Sequence, residues 1–290
     1  MVEHWSPKPG VASSSLAAPA KCVKSATKSS KIIFIRTLVM KKSDPICIFD
    51  SGIGGSYVLA HLGSLAPNES YYYYSDSRNC PYGEKEEAEV CKICDEIVQK
   101  LLKKHPRCII IACNTASSMA ASFLREKYPD VKIFAIEPAY KLVGESPALV
   151  MATPGTLSGE KFQKLFKKYD NGKTYLLPCP GLASLIEDGA PVNSIIKYLK
   201  THLAEYRGKV EKVVLGCTHY ALIKNEIESI LGPVEFIDGA PYLAENVVRY
   251  LEENGLKNTG GKTTVSFTDS STNKDEVIAK TNRFYYIFKK

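Results

Sequence analysis

Long hydrophobic runs are missing from this chain. A helix needs roughly 18–20 apolar residues to cross a bilayer. The longest apolar run in residues 1–39 is Ile32-Ile33-Phe34-Ile35, with no secretory hydrophobic segment before it. A membrane-spanning helix is therefore excluded, and no membrane partner is expected. Acidic residues are nearly absent from residues 1–39, where Glu3 stands alone. The nine cysteines form an odd set without compact framework spacing. That argues against a disulfide scaffold and for a reduced, cytoplasmic compartment.

The amounts that are present are ordinary. Hydrophobic residues at 44% and charged residues at 24% exclude a mostly disordered, collagen-like or coiled-coil chain. A length of 290 residues suggests about two domains. The net charge of +7 is uneven: six basic residues against Glu3 place +5 of it in residues 1–39. That segment reads as a disordered or non-native basic tail, with Met40 as an alternative start. A single arginine and no amphipathic period make an organelle address the weaker reading. The body carries only +2, so no nucleic-acid partner is expected.

Beyond Met40 the pattern alternates. Apolar or β-prone runs predict strands at 45–49, 70–74, 108–112, 131–136, 148–152, 174–177 and 212–215. Helices are expected at 56–65, 84–104, 116–128, 158–169, 182–187, 192–206, 220–231 and 242–253. Such alternation predicts an α/β fold with parallel sheets. Pro- and Gly-bearing connections at 137–147 and 232–241 divide the body. The expected arrangement is a first lobe of 40–137 plus 241–290 and a second lobe of 138–240, with 242–253 packing back onto the first.

Two segments look alike: Ile111-Ala112-Cys113-Asn114-Thr115-Ala116 and Leu215-Gly216-Cys217-Thr218-His219-Tyr220. Each reads as a strand end, a small residue, a cysteine and polar residues that open a helix. In open α/β sheets ligands bind beyond the carboxyl ends of strands. A helix N-terminus offers free N–H groups and a partial positive charge, which favours a thiolate and receives a carboxylate. Cys113 and Cys217 are therefore the chemical candidates. Cys47, Cys91, Cys94, Cys108 and Cys179 read as small buried hydrophobes, and Cys80 as a loop residue. Cys91-Lys92-Ile93-Cys94 has CxxC spacing, but no second pair accompanies it, so no metal is expected. The turn Asp50-Ser51-Gly52-Ile53-Gly54-Gly55 has neither a Lys-Ser/Thr ending nor G-x-G-x-x-G spacing. It suits a small polar ligand better than a nucleotide, and Pro81-Tyr82-Gly83 is placed to close over it. Of the histidines, only His219 has a chemical context.

Five motifs together resemble the glutamate racemases, within the cofactor-independent aspartate/glutamate racemase superfamily. They are Asp50 to Gly55, Ser75-Asp76-Ser77-Arg78 with Pro81-Tyr82-Gly83, Ala112 to Ala116, Glu137-Pro138-Ala139, and Leu215 to Tyr220. The resemblance implies two similar α/β lobes with the active site in the cleft between them, and no cofactor. It implies that Cys113 and Cys217 exchange protons with glutamate, with Asp50 and His219 beside them. Ser51, Tyr82, Gly83, Asn114, Thr115, Thr218, Asp50 and His219 match substrate-binding positions, with Asp76, Glu187 and Thr156 as further candidates. Ser77, where a threonine is usual, and Asn79-Cys80 depart from the pattern. The implied role is supply of D-glutamate for peptidoglycan, with a homodimer possible. Aspartate racemisation is the nearest alternative. A catalytically silent binding protein is an alternative of another class, and a cysteine hydrolase needs only one of the two cysteines.

Overall fold

All seven apolar runs are strands in the computed structural model, which describes residues 40–289. The expected basic tail lies outside the described residues. The strands are β1 (Ile46–Asp50), β2 (Ser70–Ser75), β3 (Cys108–Ile111), β4 (Ile133–Ala135), β5 (Ala148–Ala152), β6 (Thr174–Pro178) and β7 (Lys212–Gly216), joined by β8 (Glu235–Asp238) and β9 (Thr264–Asp269). They form a five-stranded sheet ordered β4-β3-β1-β2-β9 and a four-stranded sheet ordered β6-β5-β7-β8. Every pairing is parallel. Read from the other edge, the second sheet runs β8-β7-β5-β6, the order of β4-β3-β1-β2. The two lobes therefore repeat one unit, and β9 is an addition to the first.

Ten helices are described: α1 (Ser56–Leu65), α2 (Glu87–Leu102), α3 (Asn114–Lys127), α4 (Pro154–Ser158), α5 (Glu160–Tyr169), α6 (Leu182–Glu187), α7 (Val192–Leu203), α8 (Lys224–Leu231), α9 (Ala240–Glu253) and α10 (Lys274–Phe288). Three expectations are corrected. The helix expected at 158–169 is two, because Gly159 is extended (φ −63°, ψ 139°) between them. The stretch expected to begin a helix at Tyr220 is first a 3-10 turn, Thr218–Ile223. The stretch 232–241, expected as a connection, contains β8, and β9 and α10 have no counterpart in the sequence reading.

Strand side chains alternate across each sheet, and both faces are covered. On one face of the first sheet Cys47, Phe49, Ile109 and Ile111 meet α2 and α3 through Val90, Cys94 and Leu124. On the other face Ile46, Ile48 and Ile110 meet α1 and α9 through Leu59, Leu243 and Val247. Helix α9 thus packs against this face of the first sheet. The second sheet repeats the scheme, with Leu149, Met151 and Val213 against α6, α7 and α8 and Val150 and Val214 against Phe162. Two-sided burial explains why β1, β3 and β5 read as unbroken apolar runs. The structural cysteines lie in these layers, and burial pushes the thiols of Cys47, Cys108 and Cys179 up to about 12.

A buried ion pair ties the first lobe together. Arg107 contacts Glu69 with both side chains inaccessible. Arg107 also donates to the carbonyls of Asp44 and Leu256, while Glu69 accepts from the Asn258 amide at 2.8 Å.

Candidate active site

The repeat sets where the two cysteines emerge. Cys113 follows β3 at the N-cap of α3, and Cys217 follows β7 at the N-cap of the 3-10 turn. They stand one residue beyond Ala112 and Gly216, at the carboxyl ends of equivalent strands. Their exposures are 6% and 8%, so the site is closed around its own side chains. They are near enough for the charge of Cys217 to act on Cys113. Two cavities among the described residues, of about 380 and 650 Å³, are lined by neither cysteine.

Cys113 faces the turn after β1. The Ser51 hydroxyl is 3.6 Å from its Sγ and donates to Asp50 Oδ1 at 3.2 Å. Asp50 also accepts the Gly52 amide at 3.1 Å, and at Oδ2 the Thr218 hydroxyl at 3.0 Å. Asp50 is fully buried. Burial raises its carboxyl above the usual range, against the opposing effects of His219, the Gly52 amide and Thr218. The helix terminus does not lower the Cys113 thiol as the sequence suggested. Burial, then the Asp50 charge, push it up to about 12, outweighing the Ala116 amide and the Ser51 hydroxyl.

Cys217 has a different companion. Its Sγ lies 3.8 Å from His219 Nδ1, and His219 Nε2 lies 2.8 Å from Glu187 Oε2. The same Oε2 accepts the Ile53 amide at 2.9 Å. Burial alone would depress His219, but its bonds to Cys217 and Glu187 raise it well above the ordinary histidine value. Burial alone would raise Glu187, but His219, the Ile53 amide and Lys280 together hold it down at about 2. Each member of the pair therefore favours the charged form of the other.

The glycines of the first turn admit the other lobe. A Cβ on Gly52 would sit 2.2 Å from Glu187 Oε2, and one on Gly54 would sit 2.5 Å from Thr218 Oγ1 and 2.8 Å from His219 Nδ1. The turn is Gly-rich because side chains of the second lobe occupy the space a Cβ would need.

The remaining candidates divide by position. Thr115 Oγ1 lies 2.8 Å from Thr153 Oγ1 and 3.2 Å from Thr156 Oγ1. Thr153 follows β5 as Ser51 follows β1, and Thr115 stands two residues beyond its cysteine where Thr218 stands one beyond. Thr153 was not singled out in the sequence, and the repeat of strand order is the signal that finds it. Tyr82 is buried and donates to Asp76 Oδ2 at 2.6 Å, where Asn79 also donates at 2.9 Å. Asp76 thus organises the loop. Gly83 lies against Thr153 of the second lobe. Asn114 is buried, and its Oδ1 has no hydrogen-bond partner. Among the described residues no group of three or more His, Cys, Asp or Glu could hold a metal ion, and no helix is long and apolar enough to cross a membrane.

Two sheets of one strand order, each presenting a thiol beyond an equivalent strand, define a two-lobed α/β enzyme of the racemase class. The chain belongs to the Asp/Glu/Hydantoin racemase family, whose model matches residues 57–247. A glutamate racemase of Clostridium perfringens is 42% identical over 229 residues, which cover 76% of this chain and 88% of the relative. The crystal structure of glutamate racemase from Francisella tularensis in complex with D-glutamate is 30% identical, with a TM-score of 0.75, covering 84% of this chain and 94% of that one. That of Thermus thermophilus in complex with β-chloro-D-alanine is 31% identical, with a TM-score of 0.73 over 84% and 93% of the two chains.

Proposed function

We propose that this chain interconverts L- and D-glutamate without a cofactor, using Cys113 and Cys217 on opposite faces of the α-carbon. The observation that carries the reading is the pair of thiols at the ends of β3 and β7, equivalent strands of the two sheets. The chain divides into 40–137 with 241–290 and 138–240, and the cleft between these lobes holds the substrate.

Inverting a carbon requires one proton to leave on one face and another to arrive on the other. One cysteine, as thiolate, takes the Cα proton, and the second, as thiol, delivers its own. One proton is lost and one gained, and the pair ends with its charges exchanged. The reverse reaction uses the same pair in opposite roles. Two groups of one kind suit a reaction whose directions are mirror images.

The helpers differ by side. At Cys113, Ser51 relays hydrogen bonding from Asp50; at Cys217, Glu187 favours the charged form of His219. Proton transfer is fastest when acid and base are matched to the ambient pH, and the raised Cys113 thiol supports its role as the resting proton holder. The developing negative charge on the substrate needs preorganised donors, each worth about 3–4 kcal/mol in comparable oxyanion sites. Asn114, Thr115, Thr218, Ser51, Tyr82, Gly83 and Thr156 line this centre. A buried, unbonded Oδ1 such as that of Asn114 is costly to maintain, which supports a ligand-binding role. D-Glutamate produced here would supply peptidoglycan synthesis.

Separate incubation with L-glutamate and L-aspartate, followed by chiral chromatography, tests the proposal. D-Glutamate is expected from the first and little product from the second. Absence of D-glutamate overturns it.

A further inference from the structure

The last helix reaches the chemistry from an unexpected direction. α10 packs with the first sheet: Phe284 is fully buried, with its ring centroid 4.7 Å from Tyr73 and 4.5 Å from Phe267. Two of its basic side chains nevertheless extend to α6 of the second lobe. Lys280 Nζ lies 3.2 Å from Glu187 Oε1. Arg283 donates to the carbonyls of Ile186, at 2.7 Å, and Glu187. The Glu187 side chain is 2% exposed and that of Lys280 14%, so solvent screens this pair little.

Glu187 is hydrogen-bonded through Oε2, while its buried Oε1 makes no hydrogen bond and has Lys280 as its ionic neighbour. Oε2 takes His219 and the Ile53 amide, Oε1 faces Lys280, and Arg283 fixes its backbone. The chain of contacts runs Lys280, Glu187, His219, Cys217. Lys280 and Arg283 are the cations that α10 brings to this chain, and of the two it is Lys280 that reaches the Glu187 carboxylate. The other ionisable groups near this chain are Asp50 at the end of β1, Tyr73 of β2, Cys80 in the loop after β2, Cys113 after β3 and Arg283 of α10. Arg283 is the cation among them, and its guanidinium is bonded to backbone carbonyls.

We propose that Lys280, anchored with Arg283 on α10, is a positioning residue for racemisation that acts through Glu187 and His219 on Cys217. It touches neither cysteine, and its role is to fix the orientation and charge of the histidine that does. This rests on the two-cysteine reading above and extends it to the C-terminal helix.

The test is the pH profile of kcat/KM for glutamate in the wild type, Lys280→Met and Lys280→Arg. An opposite charge at this range shifts an ionisation by about one unit or more. In Lys280→Met the acid limb should therefore move to higher pH by about one unit, with activity near pH 7 reduced about tenfold and recovering in alkali. Lys280→Arg, which keeps the charge, should retain the wild-type limb. Thermal unfolding of each variant establishes that it is folded. An Arg283→Lys variant, which keeps α10 basic, serves as a second probe if the methionine variant does not fold; it should lower kcat more than it raises KM. Unchanged limbs in folded Lys280→Met, or an equal loss at every pH, overturn the proposal. So does a folded Arg283→Lys variant with wild-type constants. A wild-type chain without glutamate racemisation overturns the two-cysteine reading instead.

Discussion

Thr218 donates its hydroxyl to Asp50 Oδ2 at 3.0 Å, and this bond joins the turn after β7 to the carboxyl end of β1. The bond has a counterpart. Thr115, beyond β3, meets Thr153, beyond β5, at 2.8 Å. Each cysteine-bearing loop is therefore bonded to the other lobe around the end of its first strand, once through a carboxylate and once through a hydroxyl. The site is built twice, with different chemistry each time.

Cys113→Ser and Cys217→Ser should each lower racemisation by about 10²–10⁴-fold, the usual range for a lost general acid or base. Chiral chromatography measures the loss. In deuterated water the wild type should place solvent deuterium at Cα in both directions. A single variant with full activity would sink the two-base assignment.

Gly52→Ala should fold and yet lose activity. The added Cβ meets the Glu187 carboxylate at 2.2 Å, so Glu187 must withdraw from His219. Misplacement near 1 Å in such a site costs about 100-fold. Steady-state kinetics beside circular dichroism distinguish this from unfolding, and wild-type kcat/KM would refute it.

Glu187→Gln should reveal the ion pair through pH. The Glu187 carboxyl is held at about 2, below its ordinary 4.5. Its stabilisation is therefore complete above 4.5 and fades as pH falls towards 2. His219 is raised above 6.5, so its share is complete below 6.5 and fades as pH rises through the folded value. Between pH 4.5 and 6.5 both contributions are present, and the variant should lose about 3 kcal/mol there. Urea unfolding at pH 5.5 and pH 2.5 checks this; an equal deficit at both contradicts it.

Arg107→Met should destabilise the fold by about 3–5 kcal/mol, because it leaves Glu69 buried and uncompensated. Arg107→Met with Glu69→Leu should recover part of that loss. Denaturant midpoints decide, and specific activity per folded molecule should stay near wild type in both.

Legibility followed burial. Strands covered on both faces, such as Ile46–Asp50 and Ala148–Ala152, show unbroken apolar runs and were read directly. β8 and β9 were not. Glu235-Phe236-Ile237-Asp238 is only four residues between Gly-Pro connections, and Thr264-Val265-Ser266-Phe267-Thr268-Asp269 is a half-exposed edge strand of mixed composition. α10 has a local start signal, Asn273 capping a first turn with Asp275 and Glu276, but no apolar stripe follows it, since Phe284 is its one fully sheltered residue. At the site, the repeated cysteine context pointed to Cys113 and Cys217. The elevated thiol of Cys113 was not visible in sequence, because it arises from Asp50 and burial, both products of tertiary packing. Thr153, Lys280 and Arg283 were likewise hidden, lying outside the motifs and reaching the site only across the lobe boundary.

The shared strand order has a consequence for economy of design. Two copies of a half-length chain, paired symmetrically, would offer a substrate two identical thiols with identical neighbours. Covalent fusion removes that obligation. Position 50 can hold a carboxylate while its register counterpart, Ala152, holds a methyl, and one sulfur can acquire an imidazole that the other lacks. The repeated strand order supplies one thiol per sheet and still lets the neighbours of each differ.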